Sequence, residues 1–330
     1  MVASDSVRMQ EVRTMREIGG YIELEHFHGS MLHEELIALN CGRSCLRYLI
    51  RARQIQKIAL PIFCCDSVRE ACRKEGVEIR YFAIGKDWMP RDVDLAPREW
   101  LYLVNSYGQL GISQILSVKK RYDRLILDEA QAYFEEPLPG IDTIYTCRKF
   151  YGVADGALLA TDASQLAGLS QDESHERMHF LLGRFERPAS EFYQEYVKNN
   201  AFFDGEDIKR MSSLTENILR GADDAFICER RTKNFKMLAD AFHEKNELEL
   251  QVPEGAFAYP LLVPRGSEIR RELIAKKIYI PTLWPNVLED AEEGSWDYRL
   301  SQDVLPLPVD QRYDEDDMEC LIAEVKKCIG

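Results

Sequence analysis

The sequence predicts an α/β fold: a mostly parallel sheet between helices, followed by a smaller C-terminal α+β unit. Three observations carry this. Between about residues 35 and 165, short apolar segments alternate with helical ones, as in a parallel sheet covered on both faces. Residues 166–245 read as helical and charged, with few turn signals. Beyond "ERRTKNFKMLADAFHEKN" (229–246) strand-like segments surround a single helix.

The first helix is expected over 42–54, "GRSCLRYLIRARQ", because Cys45, Leu46, Leu49 and Ile50 fall on one side. "KIALPIFC" (57–64) reads as a strand. "DSVREACRKEG" (66–76) reads as a helix ending in Gly76. "EIRYFAIG" (78–85) and "EWLYLVNSYG" (99–108) are strand-like, "SQILSVKKRY" (113–122) is helical, and "RLILDEAQAYF" (124–134) opens with a strand. "DTIYTC" (142–147) and "GALLATD" (156–162) close the series. In the C-terminal unit, "LELQV", "FAYPLLV" and "IYIPTLW" are read as strands around the helix "SEIRRELIAKK", and a last helix starts near Asp314. The expected division is a large domain over 1–230, with an N-terminal segment 1–30, and a small domain over 231–330.

Apolar residues make up 45% of the 330, enough for a sizeable core. The 42 basic residues against 56 acidic ones leave a net charge of −14. That balance argues against nucleic acid or an anionic membrane as the main partner. An anionic small ligand would therefore need a local trap. No apolar stretch approaches the ~20 residues of a membrane helix, and residues 1–20 carry no apolar signal core, so the expected compartment is the cytoplasm. The nine cysteines lack paired zinc spacing and read as reduced thiols. His26 and His28 lack a third ligand nearby, and no metal is expected.

Four features fall at strand ends or helix starts, where open α/β sheets bind ligands. Gly42-Arg43-Ser44 opens a helix, so free amides, a hydroxyl and a guanidinium converge on a potential anion site; a simple helix cap is the plainer reading. Asp128 ends an apolar strand, either as a helix cap or as the counter-charge of a protonated ligand nitrogen, with Gln131 on the same side. Lys149 stands at the next strand end, in "RKFYG". An ordinary surface lysine is one reading; an amine held partly unprotonated for a Schiff base is the other. Asn105 and Tyr107 end another strand, buried for structure or turned to a ligand ring. In combination, an anion-binding helix start, a strand-end acid and a strand-end lysine are what pyridoxal 5'-phosphate needs for its phosphate, its ring nitrogen and its aldehyde.

On these residues the chain resembles the pyridoxal-phosphate-dependent sugar aminotransferases of the DegT/DnrJ type, members of the fold type I aspartate-aminotransferase superfamily. The likeness runs from "GGYIELE" near Gly19 to "LPLPVDQRY". "CGRSCL" stands at the phosphate-binding segment, "DEAQ" matches the Asp-x-Ala-Gln stretch, and Lys149 precedes Asp155-Gly156 as the family lysine precedes an acidic-Gly pair. The resemblance implies a seven-stranded-type sheet and a homodimer. It makes Lys149 the Schiff-base lysine, Asp128 the partner of the ring nitrogen and Gln131 a cofactor-facing amide. Arg43 replaces a threonine and Ile144 a serine, leaving Thr146 as substitute; Phe63, Cys64 or Cys65 would cover the ring. Ile208 replaces the asparagine of the segment that crosses to the neighbouring subunit, leaving Lys209 or Arg210 to reach that subunit's phosphate. The implied reaction moves an amino group from a small-molecule donor such as glutamate to a keto sugar, expected to be nucleotide-linked. A sugar dehydration on the same cofactor and a non-catalytic binding relative are the alternatives.

Overall fold

The computed structural model describes residues 18–330; the first part of the expected segment 1–30 lies outside them. Among the described residues, nine strands form two sheets. The strands of the large sheet are β1 (Ile37–Leu39), β2 (Lys57–Pro61), β3 (Glu78–Phe82), β4 (Trp100–Val104), β5 (Leu125–Asp128), β6 (Asp142–Thr146) and β7 (Ala157–Ala160). Their order is β1-β7-β6-β5-β4-β2-β3. β7 runs antiparallel to both its neighbours, and the pairings from β6 to β3 are parallel. β4 and β5 are buried along nearly their whole length, as strands covered on both faces must be.

The covering helices include α1 (Gly42–Arg53), α2 (Asp66–Lys74) and α3 (Ile112–Arg121). α1 buries Cys45, Leu46, Leu49 and Ile50 and stops at Gln54, whose left-handed backbone (φ 54°) returns its N–H to the last turn. Then follow α4 (His179–Glu186), α5 (Tyr193–Gly205), α6 (Ser213–Arg220) and α7 (Asp224–Phe242). The segment between β7 and α4, expected to be largely helical, is irregular but for one short turn. The C-terminal unit contains β8 (Ala258–Leu262) paired antiparallel with β9 (Val304–Pro308), and α8 (Gly266–Ala275), α9 (Val287–Asp290), α10 (Trp296–Asp303) and α11 (Glu315–Ile329). "LELQV" and "IYIPTLW" are not strands. They pack apolar side chains such as Leu248, Ile280 and Trp284 inward without joining a ladder.

The expected boundary at 230/231 falls inside α7. This one continuous helix buries Ile227 in the large unit's core and Phe235, Leu238 and Phe242 in that of the C-terminal unit. Phe235 meets Tyr259 of β8 edge to face at 5.0 Å.

The turn from β6 to β7 is fixed by a buried acid. Asp155 accepts hydrogen bonds from the Ser212 amide (2.8 Å), the Ser212 hydroxyl (2.7 Å) and the Thr215 hydroxyl, which ties the turn to the start of α6. Gly156 follows at φ +113°, and an added Cβ would stand 3.1 Å from Thr215 and 3.2 Å from Cys147. Both the backbone angle and the crowding require glycine. Gly156→Ala is expected to lower folding stability by about 1–3 kcal/mol, read as a shift of the urea midpoint at unchanged slope; an unchanged midpoint would refute the account.

Candidate active site

The carboxyl ends of β4, β5 and β6 meet α1 and the start of β8 around one cleft. Asp128 is the last residue of β5 and is buried. Its Oδ2 accepts from the Tyr102 hydroxyl (2.8 Å) and its Oδ1 from the Ala130 amide (2.8 Å). Burial, and then the nearby Asp128 charge, push the Tyr102 hydroxyl's pKa upward, so it stays a donor. Tyr102 was not singled out in the sequence; only the parallel register of β4 on β5 brings it to the acid.

Lys149 ends the short turn that follows β6. Its Nζ lies 5.3 Å from the centre of the Phe257 ring, which comes from the C-terminal unit. Solvent reaches the side chain through the cleft mouth, so by surface the residue is exposed. Protein nonetheless encloses the amine deeply enough that desolvation lowers its pKa below the ordinary lysine range. Asp128 acts in the opposite sense, the largest of the attractions that raise it. The two groups act on one another through their charges yet form no ion pair.

Gln131 is buried beside this pair. Its Oε1 accepts from the Tyr107 amide (2.6 Å), and its Nε2 has no partner. Tyr107 adopts a left-handed backbone (φ 57°, ψ 16°), uncommon for a bulky residue, and its buried hydroxyl is also unpartnered. Thr146 is half-buried at the end of β6, and its hydroxyl makes no hydrogen bond within the described residues.

Two expected residues have other roles. Asn105 donates to Glu129 (2.9 Å), while its carbonyl accepts from the Leu110 amide (2.8 Å). Its amide is committed to Glu129 and, at 3.5 Å, to the Leu110 carbonyl. Phe63 is fully buried, edge to face with Trp284 at 4.5 Å. It belongs to the core, and the side chains that its segment brings close to the Lys149 charge are Cys64 and Cys65.

The start of α1 forms the other end of the cleft. Asn40 fixes it from four sides. Its N–H donates to Lys209 O (3.0 Å), its carbonyl accepts from Gly156 N (2.6 Å), its Nδ2 donates to Asp172 (3.3 Å), and its Oδ1 accepts from the Ser44 hydroxyl (2.7 Å). No side chain caps the helix, so the amides of Gly42, Arg43 and Ser44 remain for an anion. Ser44 offers its amide, its hydroxyl being committed to Asn40. Arg43 reaches Asn200 O (3.4 Å) and Asp204 (3.3 Å) of α5, and its Nε is buried without a partner. Lys209 is paired with Glu206, while the backbone of Arg210 bridges Leu39 and Gln171.

Free helix-start amides, an unused hydroxyl, a buried amide donor, an acid and an enclosed amine are the partners that a phosphorylated pyridine aldehyde would satisfy. The residues present fit that cofactor.

No protein-family profile matches the chain, and no curated protein matches it by sequence. Solved structures do. A DegT DnrJ EryC1 StrS aminotransferase from Brucella abortus superposes with a TM-score of 0.62 at 15% identity, covering 89% of this chain and 86% of its own. DesV from S. venezuelae gives 0.62 at 17% identity, covering 88% and 84%. NtdA from Bacillus subtilis, solved with its cofactor PMP bound, gives 0.63 at 13% identity, covering 89% and 73%. The chain has the fold of these proteins, the expected fold type I architecture.

Because Asp128 raises the Lys149 pKa, Asp128→Asn should lower it further. The pH midpoint for modification of Lys149 by an amine-reactive reagent, followed by peptide mass spectrometry, is expected to move to lower pH in that variant. A midpoint that stays put or rises would show that the two groups are not coupled.

Proposed function

We propose that the protein is a pyridoxal-phosphate-dependent aminotransferase acting on a keto sugar. The observation that carries this reading is the Lys149 amine and the Asp128 carboxylate, which attract one another across a cleft but do not pair. The fold shared with sugar aminotransferases supports it. So does the PMP bound in one neighbour of that fold.

In this reading Lys149 holds the cofactor covalently through Nζ, and the α1 amides with Thr146 take the phosphate. Gln131 donates its unpartnered Nε2. Asp128, braced by Tyr102 and Ala130, keeps the ring nitrogen protonated. When bound, the cofactor supplies an electron-accepting ring that delocalises the charge left as a substrate C–H proton departs. Once displaced from the cofactor by the amino donor, Lys149 Nζ, its pKa lowered by enclosure, would accept and return that proton. Phe257 shields one side of the amine from water. The amino donor is glutamate and the acceptor a nucleotide-linked keto sugar.

The working unit is a homodimer. The N-terminal arm exposes Ile18, Tyr21 and Ile22, and α4 and α5 expose Phe185 and Tyr193, apolar surface that a second copy would cover. The compartment is the cytoplasm, in keeping with nine cysteines that are all free. No helix of the described residues is long and apolar enough to cross a membrane. We also propose a large cofactor-binding domain over 1–230 and a small domain over 231–330, hinged on α7.

Purified protein given pyridoxal 5'-phosphate is expected to gain a visible absorbance band, and borohydride should fix the cofactor mass on Lys149. Lys149→Ala should lose both. Incubation with glutamate alone should release pyridoxamine phosphate, which a dehydratase or a non-catalytic relative would not do. An identical band in the Lys149→Ala protein would end this reading.

A further inference from the structure

We propose that Arg43 and Arg148 form a clamp for a dianion, the phosphate ester of the proposed cofactor, so that one chain supplies both compensating charges. The identity of the ester rests on the proposed function; the anion site itself rests on the geometry.

Arg148 immediately precedes Lys149, and Arg43 is the second residue of α1. Both guanidinium groups are tied to one residue of α5. Arg43 Nη1 donates to the Asn200 carbonyl (3.4 Å), and Arg148 Nη2 donates to the Asn200 side chain. Arg148 also lies over the Phe203 ring at 4.8 Å, which fixes its plane. Two like charges are thus held together at the uncapped start of a 12-residue helix.

Their compensation is incomplete. Arg148 forms no ion pair among the described residues; burial lowers its pKa and Arg43 adds to that effect, while Asp155 attracts it without pairing. Arg43 has only Asp204, whose side chain is 61% exposed and so contributes little. Its Nε is buried and unpartnered. Arg231 and Arg270 also form no ion pair among the described residues but rest on backbone carbonyls, whereas other arginines are paired with acids. Arg47 and Arg51 share Glu75, and Arg53 is bonded to Asp142. Carboxylates are abundant, yet this pair is left short of them, at a helix start whose amides are free. A doubly charged tetrahedral oxyanion would take up both guanidinium groups and the amides at once. Lys209, engaged with Glu206, is not needed for that charge balance.

The test compares binding of pyridoxal 5'-phosphate and of pyridoxal, which lacks the phosphate, in wild type, Arg148→Met, Arg148→Lys and Arg43→Met. The affinity ratio of ester to alcohol is expected to fall about 10- to 100-fold in each Met variant, with partial recovery in Arg148→Lys. Inorganic phosphate should raise the thermal midpoint of the wild type and lose that effect in Arg148→Met. Without ligand, Arg148→Met should melt no lower than wild type, since it removes an uncompensated charge. A structural arginine would behave in the opposite way. An unchanged ratio in the Met variants overturns the clamp; should Arg148→Met not fold, Arg43→Met decides alone. Attachment at Lys149 with an unchanged ratio sinks the clamp and spares the aminotransferase reading. An arginine-dependent phosphate preference without attachment does the reverse.

Discussion

A carboxylate at the end of a strand buried on both faces loses its water, and everything in the cleft follows from how Asp128 is held there. A carboxylate left without partners in such surroundings is costly. Tyr102 and the Ala130 amide each donate one hydrogen bond and leave lone pairs on both oxygens. Its charge then projects onto Lys149, opposing the desolvation that would otherwise lower that amine's pKa still more. A direct ion pair would have closed the cleft. The two groups act on one another through their charges and form no bond.

The same economy of partners appears at the helix end. Asn40 spends its backbone and both side-chain atoms on fixing the start of α1, and Asp172, to which it donates, is itself held by Arg177 at 2.8 Å. Ser44 is drawn into that network. The helix amides are not, and neither is the Arg43 Nε. Rigid support on one side and unsatisfied donors on the other distinguish a binding surface from a cap.

Along the chain, the elements that periodicity could reveal were those long enough to show it. α1, α2, α3 and the strands from β2 to β7 fall within a few residues of their expected spans. β1 is three residues long and gave no pattern, while β9 and α10 lie in proline- and acid-rich sequence that hides them. "LELQV" and "IYIPTLW" have strand composition because they line a core, which apolar spacing cannot separate from joining a sheet. The division expected at residue 230 met a helix that serves both units, since a long helix can bury different stretches in different cores.

The placement of Asp128, Gln131 and Lys149 at the carboxyl ends of strands was legible from sequence, because the order of strands and breaks is written locally. The depth of Phe63, the internal bonds of Asn105, the Tyr102 brace and the meeting of Arg43 with Arg148 were not. Each depends on side chains from segments far apart in the chain. Residue type and spacing determine which chemistry a chain carries and where its elements begin. Which donors are left without partners is decided only when the packed structure has used up the rest.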